Sequence, residues 1–313
     1  MLNRVLPQAQ TIAIGGHIRP DGDCVGSCMG LYLYIKTCYP DKQVDVFLEP
    51  VPSCFSMLSV VKEIKHEVQD KKQYDLFISL DCATKNRLGF SEELFDNAKT
   101  KVCIDHHISN IGFAEHCYIV PEASSTAELV YRLIDTDKIT TDIAECLYLG
   151  IVHDTGVFQY SSTAPETMEA AANLMRKGIR ATELIDKTYY EKTYAQNQVL
   201  GKALLDSQLM LDGKCIVSYI TKETMQEYGV KQSDLEGIVS QLRVTQGVEV
   251  AVFMYEIGEN EYKVSLRASG NVNVSQVAET FGGGGHVKAA GLTMSGTISE
   301  IIEKLAEEIR KQL

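Results

Sequence analysis

Short apolar runs that stop on acids and imidazoles constrain this chain more than any other feature. Residues 11–16, 74–80 and 101–104 are each the length of one buried strand, and each gives way to ionisable side chains. The first is followed by His17, Asp21 and Asp23, the second by Asp81, the third by Asp105, His106 and His107. A further run, 43–48, closes on Pro50 and Pro52. Over 24–38, apolar spacing without proline predicts a helix, while Pro20 and Gly22 predict a loop across 17–23. Strands separated by helical stretches predict βαβ units and a parallel sheet. Open sheets of that kind collect their ligands at the carboxyl ends of the strands.

The pattern then turns helical. Ser125 and Glu128 have capping-box spacing before an apolar helix. A second helix over 140–152 runs into Asp154, and a third over 163–177 opens near Pro165 and closes at Gly178. Residues 181–206 read as a long, polar, Tyr-containing helical stretch. Beyond it, 215–220, 248–255 and 262–268 read as strands. Capping-box matches at Ser233/Glu236 and Thr297/Glu300 predict helices between and after them. The 313 residues fit two domains. The predicted organisation is an α/β parallel-sheet domain at 1–185, a helical connector at 186–208 and a smaller α+β domain at 209–313.

Composition narrows the classes. No apolar run approaches the roughly 18 residues of a membrane span, and the N-terminal residues lack an apolar signal core. A cytoplasmic protein with no membrane partner is the expectation. The nine cysteines are scattered, with no Cys-x-x-Cys pair, and read as reduced, buried thiols. The net charge of −12 disfavours a protein that tracks long duplex nucleic acid, because phosphate neutralisation supplies most of such binding. It leaves a small phosphorylated substrate open, since bound cations reverse the field of one cleft.

Each strand-end donor has a bland reading. Asp81 could cap a turn, His17 could pack under the sheet, and Asp154 could be a turn residue. Four separate strand or helix ends carrying acid or imidazole are hard to explain as caps. Carboxylates and imidazoles without thiolates suit Mn²⁺, Fe²⁺ or Mg²⁺. Such a set can hold two ions with one carboxylate bridging, a clamp for in-line attack on phosphorus. His66 and His116 fit no such pattern, and His153 reads as packing.

His17 with Asp21, Asp23, Gly26 and Ser27, then Asp81, then Asp105-His106-His107, then Asp154 with Thr155 and Gly156, together resemble the four motifs of the DHH phosphoesterase superfamily. The resemblance implies two divalent ions, Mn²⁺ first among them. It implies that His17, Asp21 and Asp81 hold one ion, and that Asp23, Asp81, His106 and Asp154 hold the other. His107 would face the scissile phosphate, with Asp105 orienting its neighbours. The segment from Phe281 to Gly291, with four consecutive glycines before His286, offers backbone N–H groups to an anion. Arg267 on the preceding strand offers a bidentate fork. A plain turn is the competing reading. The segment resembles the DHHA1 substrate domain, which implies that Arg267, Gly283, Gly284, Gly285 and His286 bind the nucleotide end of the substrate.

The whole-chain resemblance is to NrnA-type nanoRNases. It implies hydrolysis of short oligoribonucleotides to mononucleotides and removal of the 3′-phosphate of adenosine 3′,5′-bisphosphate (pAp). The partners would be short single-stranded RNA or dinucleotides and pAp; a homodimer is left open. The rivals are a phosphodiesterase acting on cyclic dinucleotides or their linear products and a non-catalytic nucleotide sensor.

Overall fold

The apolar runs become Thr11–Gly15 (β1), Gln43–Phe47 (β2), Ile64–Lys65 (β3), Leu76–Leu80 (β4), Thr100–Asp105 (β5) and His116–Ile119 (β6). They form one sheet in the order β3-β2-β1-β4-β5-β6, every pair parallel. Strand order reverses between β1 and β4, so their carboxyl ends diverge there and leave a crevice. Both faces are covered. Ile12, Ile14, Ile78 and Leu80 pack against helices Gly22–Cys38, Thr126–Leu133 and Thr141–Asp154, while Ala13 and Phe77 pack against Leu94 and Phe95. That double burial explains why the runs are so largely apolar. The computed structural model describes residues 1–69 and 72–313, which divide into two compact units, Met1–Glu191 and Lys192–Leu313.

The 17–23 loop is shorter than predicted. Gly22 and Asp23 form the first turn of the Gly22–Cys38 helix, because the Asp21 side chain accepts the N–H groups of Asp23 and Cys24, at 3.1 Å each. This helix packs closely on Thr141–Asp154. A Cβ on Gly26 would lie 2.4 Å from the carbonyl oxygen of Cys146 and 2.7 Å from the nitrogen of Gly150. Both obstacles are backbone, so the helices themselves must part. Gly26→Ala is therefore expected to cost roughly 3 kcal/mol and to lower Tm by about 6–12 °C. A thermal melt of that variant matching the parent would contradict the close approach.

In the second unit, Gln208–Met210 (β7), Cys215–Ile220 (β8), Val250–Gly258 (β9), Glu261–Ala268 (β10), Gly284–His286 (β11) and Ala289–Ser295 (β12) form a sheet ordered β11-β12-β10-β9-β8-β7. Only β8 and β9 pair in parallel. Val264 and Leu266 face the helices Val274–Thr280 and Ile298–Arg310, whereas Ala251 and Phe253 face Tyr194–Leu205 and Ile238–Arg243. Residues 186–208 are divided between the units. Asp186–Tyr190 closes the first, while Val199 and Ala203 of Tyr194–Leu205 pack with Ile216 and Ile220 of the second.

The Thr297/Glu300 box forms as predicted. The Ser233/Glu236 box does not. Asp234 accepts the N–H of Lys231 at 2.8 Å, making a short turn, and the helix begins at Ile238 after Gly237 in the left-handed region (φ +86°). No helix among the described residues is long and apolar enough to cross a membrane.

Candidate functional site

Leaving β1, the chain turns at Gly16 and buries His17 in the crevice. The ring Nδ1 bonds the Ile18 carbonyl at 2.8 Å. That turns Nε2 towards Asp21 Oδ2 (3.6 Å) and Asp81 Oδ2 (3.4 Å). Burial opposes charge on this ring. The Cys24 sulfur and the Asp21 and Asp81 carboxylates outweigh it and push the imidazole up to about 12. The Asp21 side chain is exposed; partial desolvation opposes its charge, but its bond to His17 and the backbone bond from Cys24 bring the carboxyl down to about 2.

Asp81 follows β4 with φ +55°, a left-handed conformation that Asp tolerates better than most side chains. Its two oxygens face different neighbours: Oδ2 looks to His17, and Oδ1 lies 3.7 Å from His106 Nε2. The same His106 nitrogen is 3.4 Å from Asp154 Oδ2 and 4.0 Å from Asp23 Oδ2. Asp23 is fully buried, and burial, Asp81 and Asp154 raise its carboxyl well above the usual range. Burial likewise raises Asp154; His106 offsets part of this, and with Asp81 and Asp21 adding to it the carboxyl reaches about 7. Negative charge is in excess here, which is the electrostatic demand of a cation site. Two sets of donors, Asp81 with His106 and His107 and Asp23 with His106 and Asp154, each lie within 4.8 Å of one another. Carboxylates and imidazoles in these combinations fit hard divalent ions.

Asp105 ends β5 and is completely buried. Oδ1 accepts the His106 backbone N–H (2.9 Å) and bonds His107 Nδ1 (2.7 Å), and Oδ2 accepts from Asn110 Nδ2 (2.7 Å). Burial would raise this carboxyl, but His107, Asn110 and His106 hold it below the usual range. Burial also works against a charged His107, yet Asp105 and Asp81 raise it above an ordinary histidine.

All the predicted strand-end residues thus meet in one crevice, with several partners that sequence reasoning missed. The backbone N–H groups of Thr126 and Ala127 donate to Asp23 at 2.7 and 2.8 Å, and Thr126 Oγ1 donates to Asp81 Oδ1 at 3.2 Å. The Ser125 motif marked that helix start, and Ser125 does accept the Glu128 N–H. Nothing local said that a carboxylate about a hundred residues away would cap it. Cys24 also lies beside His17 and Asp81. Burial and Cys28 push its thiol well above its ordinary range, so it stays a small hydrophobe. His153 packs between Phe55 and Tyr189, with Nε2 2.9 Å from Thr188 Oγ1. His66 bonds the Leu48 carbonyl, and His116 sits on the outermost strand.

The glycine-rich segment is more structured than a loop. Gly284, Gly285 and His286 form β11 and pair with Gly291, Ala290 and Ala289. Two of its glycines are required by packing. A Cβ on Gly283 would lie 2.5 Å from the Gly291 oxygen, and one on Gly285 (φ +153°) 2.4 Å from the Ala289 oxygen. Gly284 has open space around its Cα. Cross-strand partners share a face. Arg267 pairs with Ala289, which pairs with His286; Ser265 pairs with Gly291, which pairs with Gly284. Arg267 and His286 therefore flank a floor of small residues on one face of the second sheet. That floor admits a flat or branched anion between a guanidinium and an imidazole.

A switch-point crevice ringed by carboxylates and imidazoles, followed by a separate sheet with a basic rung, defines a metal-dependent phosphoesterase of two domains. Residues 11–151 match the DHH family, N-terminal domain, and residues 212–313 match the DHHA1 domain. The chain belongs to the DHH family. It is 30% identical over 306 residues to the bifunctional oligoribonuclease and PAP phosphatase NrnA of Thermus thermophilus, covering 96% of this chain and 90% of that protein. Its identity to the same-named protein of Bacillus subtilis is 28%, over 94% and 92% of the two chains. The crystal structure of an exopolyphosphatase-related protein from Bacteroides fragilis superposes with a TM-score of 0.92 at 28% identity, covering 99% of this chain and 94% of that one.

Proposed function

We propose that this chain hydrolyses short oligoribonucleotides to mononucleotides and removes the 3′-phosphate of pAp, using two divalent ions, Mn²⁺ above all. The observation that carries the reading is Asp81, whose two carboxylate oxygens face separate donor groups. In this reading His17, Asp21 and Asp81 hold one ion, and Asp23, Asp81, His106 and Asp154 hold the other. Bound ions neutralise charge developing on the phosphoryl oxygens and lower the pKa of a nucleophilic water. The chain's own groups do the rest. Thr126 and Ala127 fix Asp23, and Thr126 Oγ1 steadies Asp81. Asp105 holds the His107 ring in place and stabilises its protonated form. His107 can then donate a hydrogen bond to a phosphoryl oxygen or to the leaving oxygen. Arg267, Gly283, Gly284, Gly285 and His286 grip a terminal phosphate, which suits small substrates rich in phosphate. The NrnA relatives, matched along nearly their full length, support that substrate class.

The test is a substrate panel with Mn²⁺: pAp, pApA, a longer oligoribonucleotide, cyclic di-AMP and pyrophosphate, each alone. Release of AMP from pAp and pApA at rates at least about tenfold above the other substrates is expected. Faster cleavage of cyclic di-AMP would move the assignment to cyclic dinucleotides. Cleavage of pyrophosphate alone would overturn the reading of the second unit, and no cleavage at all would leave a nucleotide sensor.

A further inference from the structure

A cavity of about 520 Å³ opens on the first unit and contains none of the metal-centre residues. Its walls come from β2, β3 and the segment around Tyr74, and they include Asp45, Lys65, His66, Gln69, Lys72 and Tyr74. Part of this lining is a finished network. Asp45 receives Lys65 Nζ at 2.8 Å and the Tyr74 hydroxyl at 2.8 Å. His66 bonds the Leu48 carbonyl through Nδ1 at 2.9 Å. Lys72 differs: its Nζ is buried and has no hydrogen-bond partner among the described residues.

The ammonium lies over the Tyr74 ring, with Nζ 4.8 Å from the centroid, and within electrostatic reach of Asp45. A ring face gives a cation only a modest attraction. Burying an ammonium without acceptors costs more than that, which is why buried charges are ordinarily paired. Asp45 does not supply the missing partner, since its oxygens are occupied by Lys65, Tyr74 and Gln43. The cavity is far larger than one small ion and lies within the 300–1,000 Å³ typical of sites for small organic molecules. Gln69 and His66 add groups that can donate to or accept from hydroxyls or a nucleobase edge.

We propose that this cavity is a second ligand site, separate from the metal centre, that takes a phosphate monoester of nucleotide size with its phosphate on Lys72. A nucleoside monophosphate satisfies the chemistry. Its phosphate supplies the acceptors that Lys72 lacks, and its sugar and base reach the polar wall. The site belongs entirely to the first unit and does not depend on the activity proposed above.

The experiment is a thermal melt in EDTA, which empties the metal centre, with AMP or inorganic phosphate as the probe. A ligand bound only by the folded state raises Tm, by an amount that grows with the logarithm of its concentration above Kd. At 5 mM AMP a rise of about 3 °C or more is expected for the parent and for Arg267→Ala, which lacks the guanidinium of the other candidate phosphate site. Lys72→Met is expected to abolish the rise and Lys72→Arg to keep it. Both Lys72 variants are expected to retain metal-dependent turnover within about twofold, which also shows that they fold. A smaller rise with inorganic phosphate identifies the phosphate as the anchor. An equal AMP shift in Lys72→Met, or no shift in the parent with either probe, would overturn the proposal.

Discussion

Asp81→Asn is expected to lower kcat by at least about 1,000-fold, since an ion that neutralises developing phosphoryl charge contributes several kcal/mol and each 1.4 kcal/mol is tenfold in rate. Among the described residues, Asp81 is the carboxylate with one oxygen towards His17 and the other towards His106. Removing its charge disturbs both donor groups at once. Asn is the informative substitution because the backbone sits at φ +55°, which Asn adopts nearly as well as Asp. Alanine would add backbone strain of about 1 kcal/mol to the chemical loss. Steady-state kinetics on pAp, with circular dichroism to verify the fold, gives the measurement. A variant with more than a tenth of the parent's turnover would rule out a bridging role.

Arg267→Ala is expected to act in the opposite kinetic sense, raising KM for pAp by about 10–100-fold while kcat changes less than about threefold. A hydrogen bond to a charged group is worth about 1.5–3 kcal/mol, and loss of binding shared by ground and transition states appears in KM alone. The guanidinium is held on β10, with Nη1 donating to the Leu266 carbonyl at 3.0 Å, in register with Ala289 and His286. The residues proposed to hold metal all lie in the other unit, so the chemistry proposed for them is expected to survive the change. Arg267→Lys should recover only part of the loss, because an ammonium keeps the charge but not the fork. An equal fall in kcat and kcat/KM for Arg267→Ala would mean that the residue acts on the transition state instead.

Much of the catalytic unit was legible before any coordinates. Runs such as 74–80 are apolar but for Asp75 and Ser79, because both faces of the parallel sheet are covered along the strand. Asp105-His106-His107 stood out for the complementary reason: polar groups at the end of such a strand need a use. The second unit was less legible. β11 and β7 each have three residues, too few for periodicity to register. The Ser233 box misled because Asp234 satisfied Lys231 first, ending the turn before a helix could propagate. Close backbone approach to β12 also requires Gly283 and Gly285, a packing demand that no local pattern announced.

The amino-acid sequence by itself determined the parallel α/β class, the identity of the strand-end donors and the kind of ion they suit. These follow from local chemistry: hydrophobic run length, breaker residues, and side chains hard enough for a divalent cation. Only the tertiary structure decided how the donors divide. The reversal of strand order between β1 and β4 opened the crevice, and the left-handed turn at Asp81 pointed its two oxygens in different directions. The helix start at Thr126 then capped Asp23. Such contacts join residues far apart in the chain, and distances of a few ångströms between them are a property of packing that no local pattern encodes.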